Sequence, residues 1–119
     1  MGFKVAPIKP SVTIDEVTRI DIRVGTIRSV TDVAGSTKLA RLTVDFGDRE
    51  RTILAGIRKE RPDPREMEGR QALFVLNLVA RRMAGEVSEG MLLDVGYADG
   101  ITPVLAVPER PVPNGAQAG

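Results

Sequence analysis

Arg81 and Arg82 stand side by side in a stretch, residues 79–89, that has no steady hydrophobic period and contains Gly85. Read as a loop, that stretch presents two guanidiniums, which grip phosphate through paired N–H donors or lie flat on an unpaired base. A loop pair of this kind serves solubility equally well. Arg23 offers the same chemistry, set opposite Ile20, Ile22, Val24 and Thr26 on a predicted strand. It is equally placed to be a plain surface charge paired with Asp21 or Asp45. Lys38 and Arg41 flank the start of the second predicted strand, and Asn77 ends an apolar run, where its amide can read a base edge or satisfy turn backbone. Phosphate recognition is the chemistry these residues could do, and solvated surface charge is the plain alternative. Catalysis has little to stand on, since the chain has no Cys and no His. That excludes disulfides, Cys-rich zinc sites, thiol nucleophiles and imidazole bases. Asp45, Asp48, Glu86, Glu89 and Asp94 are scattered, with no spacing for a catalytic pair or a calcium loop. No enzyme activity, cofactor or metal is expected.

Seventeen basic and sixteen acidic residues give a net charge of +1, so any basic surface must be local rather than global. Aromatic residues make up 3% of the chain, namely Phe3, Phe46, Phe74 and Tyr97, so base stacking has few platforms. The 119 residues, 42% apolar and 28% charged, suit one folded domain. Residues 1–12 hold only short apolar stretches broken by Lys4, Pro7, Lys9 and Pro10, far from the roughly 18 apolar residues of a membrane span. A cytoplasmic protein is the expectation.

The elements that must position the basic residues are short. Thr13-Ile14-Asp15-Glu16 has capping-box spacing and predicts one helical turn. Alternation from Ile20 to Thr26 predicts a strand with its apolar face on Ile20, Ile22, Val24 and Thr26, and Gly25 marks a bend or a close approach. Leu42, Val44 and Phe46 alternate with Arg41, Thr43 and Asp45, and a hairpin over about 39–57 follows. Asp63-Pro64, with Gly69 beyond, predicts a helix of about a turn. Ala72–Leu76 reads as a central strand buried on both faces, Met91–Val95 as another strand, and Ile101–Val107, interrupted by Pro103, as an edge strand. The tail from Pro108 reads as loop. Such an order fits a small β-barrel, of OB or SH3-like type.

Several strings, collinear from about Thr13 to Gly115, decide between them: Asp21-Ile22-Arg23-Val24-Gly25-Thr26-Ile27, Val44-Asp45-Phe46-Gly47, Ala55-Gly56-Ile57, Asn77, Ser88-Glu89-Gly90-Met91 and Val112-Pro113-Asn114-Gly115. In these the chain resembles the tRNA-binding domains of the CsaA type, related to the C-terminal domain of methionyl-tRNA synthetases and to EMAP II. The resemblance implies an all-β, five-stranded OB-fold over 13–107, with extensions 1–12 and 108–119 that help form a homodimer. It implies tRNA or other structured RNA as ligand, held in a groove lined by Arg23, Lys38, Arg41, Asn77, Arg81, Arg82, Ser88 and Met91. Ser88 would offer a hydroxyl to sugar or phosphate, and Met91 a flexible thioether beside a base or an apolar peptide. It also implies two rival roles, a protein-export chaperone that binds unfolded preproteins and a trans-acting tRNA-affinity module of a synthetase. Two departures bear on the ligand. Gly35-Ser36-Thr37-Lys38-Leu39 keeps only the Lys-Leu of the Asn-Ala-Asp-Lys-Leu segment of synthetase-type relatives, and Ala55-Gly56-Ile57 lacks the hydroxyl of their Ser-Gly-Ile.

Overall fold

An eleven-residue strand, β1 (Ile22–Asp32), is the spine of the fold. Its first half pairs with β4 (Gln71–Val75) and its second half with β2 (Ala40–Asp45), both antiparallel. β2 runs through a tight turn into β3 (Glu50–Ala55), and β4 pairs with β7 (Met91–Leu92), giving the sheet order β3-β2-β1-β4-β7. The structure, a computed structural model, describes residues 3–119.

The sheet curls until its edges meet. β3 finds its second neighbour in the segment before β7, where the Glu89 N–H donates to the Thr52 carbonyl at 2.9 Å. The Thr52 N–H in turn donates to the Glu89 carboxylate at 2.9 Å. This is the five-stranded OB barrel expected from the sequence. Ile27, Leu42, Val44, Ile53 and Phe74 fill it, and Phe46 meets Phe74 edge-on with ring centroids 5.3 Å apart. A 3-10 turn, Pro64–Met67, capped by Asp63 through the Arg65 N–H, contributes Met67 to the core. Helix α1 (Ile14–Thr18) carries the predicted capping box, with Thr13 and Glu16 each accepting the other's backbone N–H, and buries none of its residues.

β1 differs from the expected reading in which face is inside. Gly25 and Ile27 face the core: a Cβ at Gly25 would stand 2.6 Å from Val44 Cγ1 and 2.7 Å from the Phe46 ring. Side chains from β2 and the following turn occupy the space that a Cβ would need. The row Ile22, Val24 and Thr26 faces outward instead, with Ile20 half exposed. That row is apolar because the C-terminal segment covers it. Val24 exchanges backbone hydrogen bonds with Gly115 and Ala116 at 2.7 and 2.9 Å, and the Thr26 hydroxyl reaches the Asn114 amide oxygen at 2.9 Å. A register shift between Ile27 and Ser29 leaves Arg28 unpaired and brings Val30 back into the core.

Three further segments depart from expectation. Residues 81–88 form a hairpin, β5 (Arg81–Met83) and β6 (Glu86–Ser88), turning at Ala84 and Gly85, both at positive φ. Met91–Val95 splits into β7 and β8 (Asp94–Val95), and β8 pairs with a short β9 (Val104–Leu105). The tail ends in β10 (Gln117–Ala118), which pairs with Ile22 and Arg23. At the other end, residues 3–12 form no helix or strand and are exposed, Phe3, Val5, Ile8 and Val12 among them. Met1 and Gly2 of the predicted extension lie outside the described residues.

Candidate nucleic-acid interface

A groove of about 750 Å³ lies at the C-terminal end of β3, between the segment 36–39, β5, and β7 with β8. Leu54, beside Arg41 in the β2–β3 register, lies in its floor and is buried even though it points away from the barrel core. The β5–β6 hairpin forms one wall, held to the sheet by Arg41. Its guanidinium binds both carboxylate oxygens of Glu86 and donates to the Thr31 hydroxyl at 2.8 Å. The pair raises the Arg41 pKa and holds the Glu86 carboxyl below its ordinary range, in each case chiefly through their shared hydrogen bonds. Lys38 and Gly56 form another side of the groove. A Cβ at Gly56 would stand only 3.6 Å from Lys38 Cε, so the lysine stem lies along the glycine of the Ala55-Gly56-Ile57 string.

Of the eight residues expected at the site, the groove brings together Lys38, Arg81 and Met91. Neither Lys38 nor Arg81 has an ion-pair partner among the described residues. Arg81 and Arg82, adjacent in sequence, project from opposite faces of the hairpin, because side chains alternate along a strand. Arg81 lines the groove, and Arg82 reaches only back to the Gly85 carbonyl at 3.4 Å. Arg41 is committed to Glu86. Ser88 is buried, 4% exposed, and its hydroxyl accepts from the Leu54 N–H and donates to the Gly90 carbonyl.

Arg23 and Asn77 belong to a different place, a pocket of about 260 Å³ at the end of the barrel that also holds Arg49 and Arg51. Arg23 is held by Asp21 through Nε at 2.7 Å, and that hydrogen bond raises its pKa. Asn77 accepts the Asp21 N–H at 2.8 Å and donates to the Arg19 carbonyl at 2.7 Å, pinning α1 to the start of β1. Both make the local contacts weighed for them from the sequence, Arg23 with Asp21 and Asn77 with backbone.

The groove also holds residues that sequence reasoning did not assign to the site: Met83, Tyr97, Glu60 and Asp94. Tyr97 sits on a 3-10 turn, Tyr97–Asp99, braced by the Ile101 N–H to the Gly96 carbonyl at 3.0 Å, and is 62% exposed. In the sequence it stands two residues before the turn dipeptide Asp99-Gly100. Glu60 has its pKa raised, first by burial and then by Asp94.

An OB barrel with an open groove at the C-terminal end of β3, lined by Lys38 and Arg81 as well as Glu60 and Asp94, is suited to binding. The chain belongs to the putative tRNA binding domain family, which matches residues 22–117. Among solved structures it is similar to the MetRS-related protein of Pyrococcus horikoshii, at 32% identity over 93% of this chain and all of that one, with a TM-score of 0.85. It is also similar to the chaperone CsaA of Bacillus anthracis, at 26% identity over 92% of this chain and all of that one, with a TM-score of 0.79. The C-terminal domain of Plasmodium vivax p43 is 26% identical over 87% of this chain and 61% of that one, with a TM-score of 0.76.

Proposed function

We propose that this protein binds structured RNA, tRNA foremost, through the groove at the C-terminal end of β3, by recognition without catalysis. The observation that carries the reading is the pair of cations that form no ion pair among the described residues, Lys38 and Arg81, lining the same groove as Tyr97 and Met91. Family membership and the likeness to the MetRS-related protein support it. A cytoplasmic setting goes with that ligand. The protein acts as a homodimer, in which the apolar arm of residues 3–12 lies on the second copy. An apolar cleft beside α1, lined by Ile20, Val75, Leu78 and Met91, has the lining to receive it. Two copies of a modest groove would give the avidity that one lacks.

Anisotropy of labelled bulk tRNA across a salt series tests this. Binding weakens steeply with salt, because phosphate contacts release counterions. Arg81→Ala or Lys38→Ala each weakens binding and lowers the salt slope by about one, whereas Arg82→Ala leaves both unchanged. No binding at low salt would refute the RNA reading.

The apolar share of the groove, Leu54, Met83 and Met91, and the likeness to the chaperone CsaA support a second reading, capture of unfolded preproteins. Such binding holds or strengthens as salt rises. Service as a trans-acting tRNA-affinity module is supported by the likeness to the MetRS-related protein, and co-purification with a synthetase tests it.

A further inference from the structure

The four aromatic residues are unevenly placed. Phe46 and Phe74 are in the core and Phe3 is on the arm, so Tyr97 is the one aromatic ring exposed on the barrel. It faces a groove that carries both signs of charge, Lys38 and Arg81 together with Glu60 and Asp94. Neither carboxylate forms an ion pair with a described residue. Carboxylates repel a phosphate backbone, so in a groove that holds RNA they must face something else. Beside an exposed ring, that is the edge of a stacked base.

The bases differ in what they present there. Guanine offers two adjacent donors, N1–H and the N2 amine, which match the two oxygens of one carboxylate. Adenine and cytosine set a ring acceptor beside their amine, and uracil sets carbonyl oxygens on both sides of its N–H. A carboxylate repels those acceptors. We propose that the groove selects an unpaired guanine, stacked on Tyr97 with its Watson–Crick edge on the Glu60 or Asp94 carboxylate and its flanking phosphates on Lys38 and Arg81. This rests on the RNA reading above and gives it a base preference.

The test uses uridine oligoribonucleotides of about nine nucleotides, within the site size of an OB fold, with one central guanosine, inosine, adenosine, cytidine or uridine. Inosine lacks only the N2 amine. The guanosine RNA binds about tenfold more tightly than the inosine RNA, the value of one hydrogen bond to a charged group, and the other three bind more weakly still. In Glu60→Gln or in Asp94→Asn the guanosine and inosine RNAs bind alike, while bulk tRNA still binds with a steep salt dependence. Tyr97→Ala weakens all five RNAs. Equal wild-type affinity for the five, with tRNA binding intact, overturns the guanine site and leaves the RNA reading standing. A guanosine preference that survives both carboxylate variants and their double overturns the assignment of these residues. Absence of any RNA binding at low salt removes both proposals.

Discussion

The Ser88 hydroxyl accepts the Leu54 N–H at 3.0 Å and donates to the Gly90 carbonyl at 2.9 Å, so a single oxygen joins β3 to the segment that closes the barrel. Ser88→Ala leaves a buried N–H and a carbonyl without partners. Stability falls by about 1–3 kcal/mol in urea melts. Affinity for tRNA, measured where the variant is still folded, stays at the wild-type value. A loss of affinity without a loss of stability would return Ser88 to the ligand.

Gly25 has its role because Val44 and Phe46 stand where its Cβ would be. Neither neighbour is a flexible chain end, and both are buried. Gly25→Ala forces the core apart and costs about 1–3 kcal/mol. Thermal denaturation followed by circular dichroism reads this directly.

Acid should loosen the protein at two identifiable carboxylates. Asp45 is held below its ordinary pKa, first by the Gly47 N–H and then by Arg28, and Glu86 is held low by Arg41. A carboxyl whose folded pKa lies below its unfolded value stabilises the fold fully above the unfolded pKa, and that contribution disappears as pH falls through the folded one. Both contributions are therefore complete at neutral pH and are lost in the acid range below about pH 4. Glu60 acts in the opposite direction, since its raised pKa favours the fold when protonated. In a series of urea midpoints against pH, Glu86→Gln lowers stability at neutral pH and flattens the acid limb. An unchanged limb would show that the Arg41–Glu86 pair does not hold the hairpin in solution.

The arm of residues 3–12 is exposed along its whole length, and Ile8 is 99% exposed. Removing the residues before Thr13 should convert a dimer to a monomer in light scattering while leaving the barrel's unfolding midpoint nearly unchanged. A wild-type chain that is monomeric at high concentration would refute the dimer.

Legibility followed chemistry that acts over a few residues. The Thr13–Glu16 box, the Asp63-Pro64 start and the β2–β3 hairpin were readable because capping oxygens, proline geometry and alternation are local. The β5–β6 hairpin was not, because its strands have three residues each and its turn uses Ala84 at φ 50, a residue type that gives no turn signal. The face of β1 was misread for a different reason. Its outward apolar row is covered by residues 114–116, some ninety positions away, and no local pattern distinguishes that cover from a core.

The sequence by itself determined the barrel class, the family and the presence of scattered arginines in a chain without imidazole or thiol. Only the tertiary structure decided which of those arginines keep an open charge. Strand alternation separated Arg81 from Arg82, Glu86 engaged Arg41, Asp21 engaged Arg23, and the chain's path off the main sheet placed Tyr97, Glu60 and Asp94 in the groove with Lys38. Charge is a property of a residue, but its availability depends on partners brought together from distant parts of the chain.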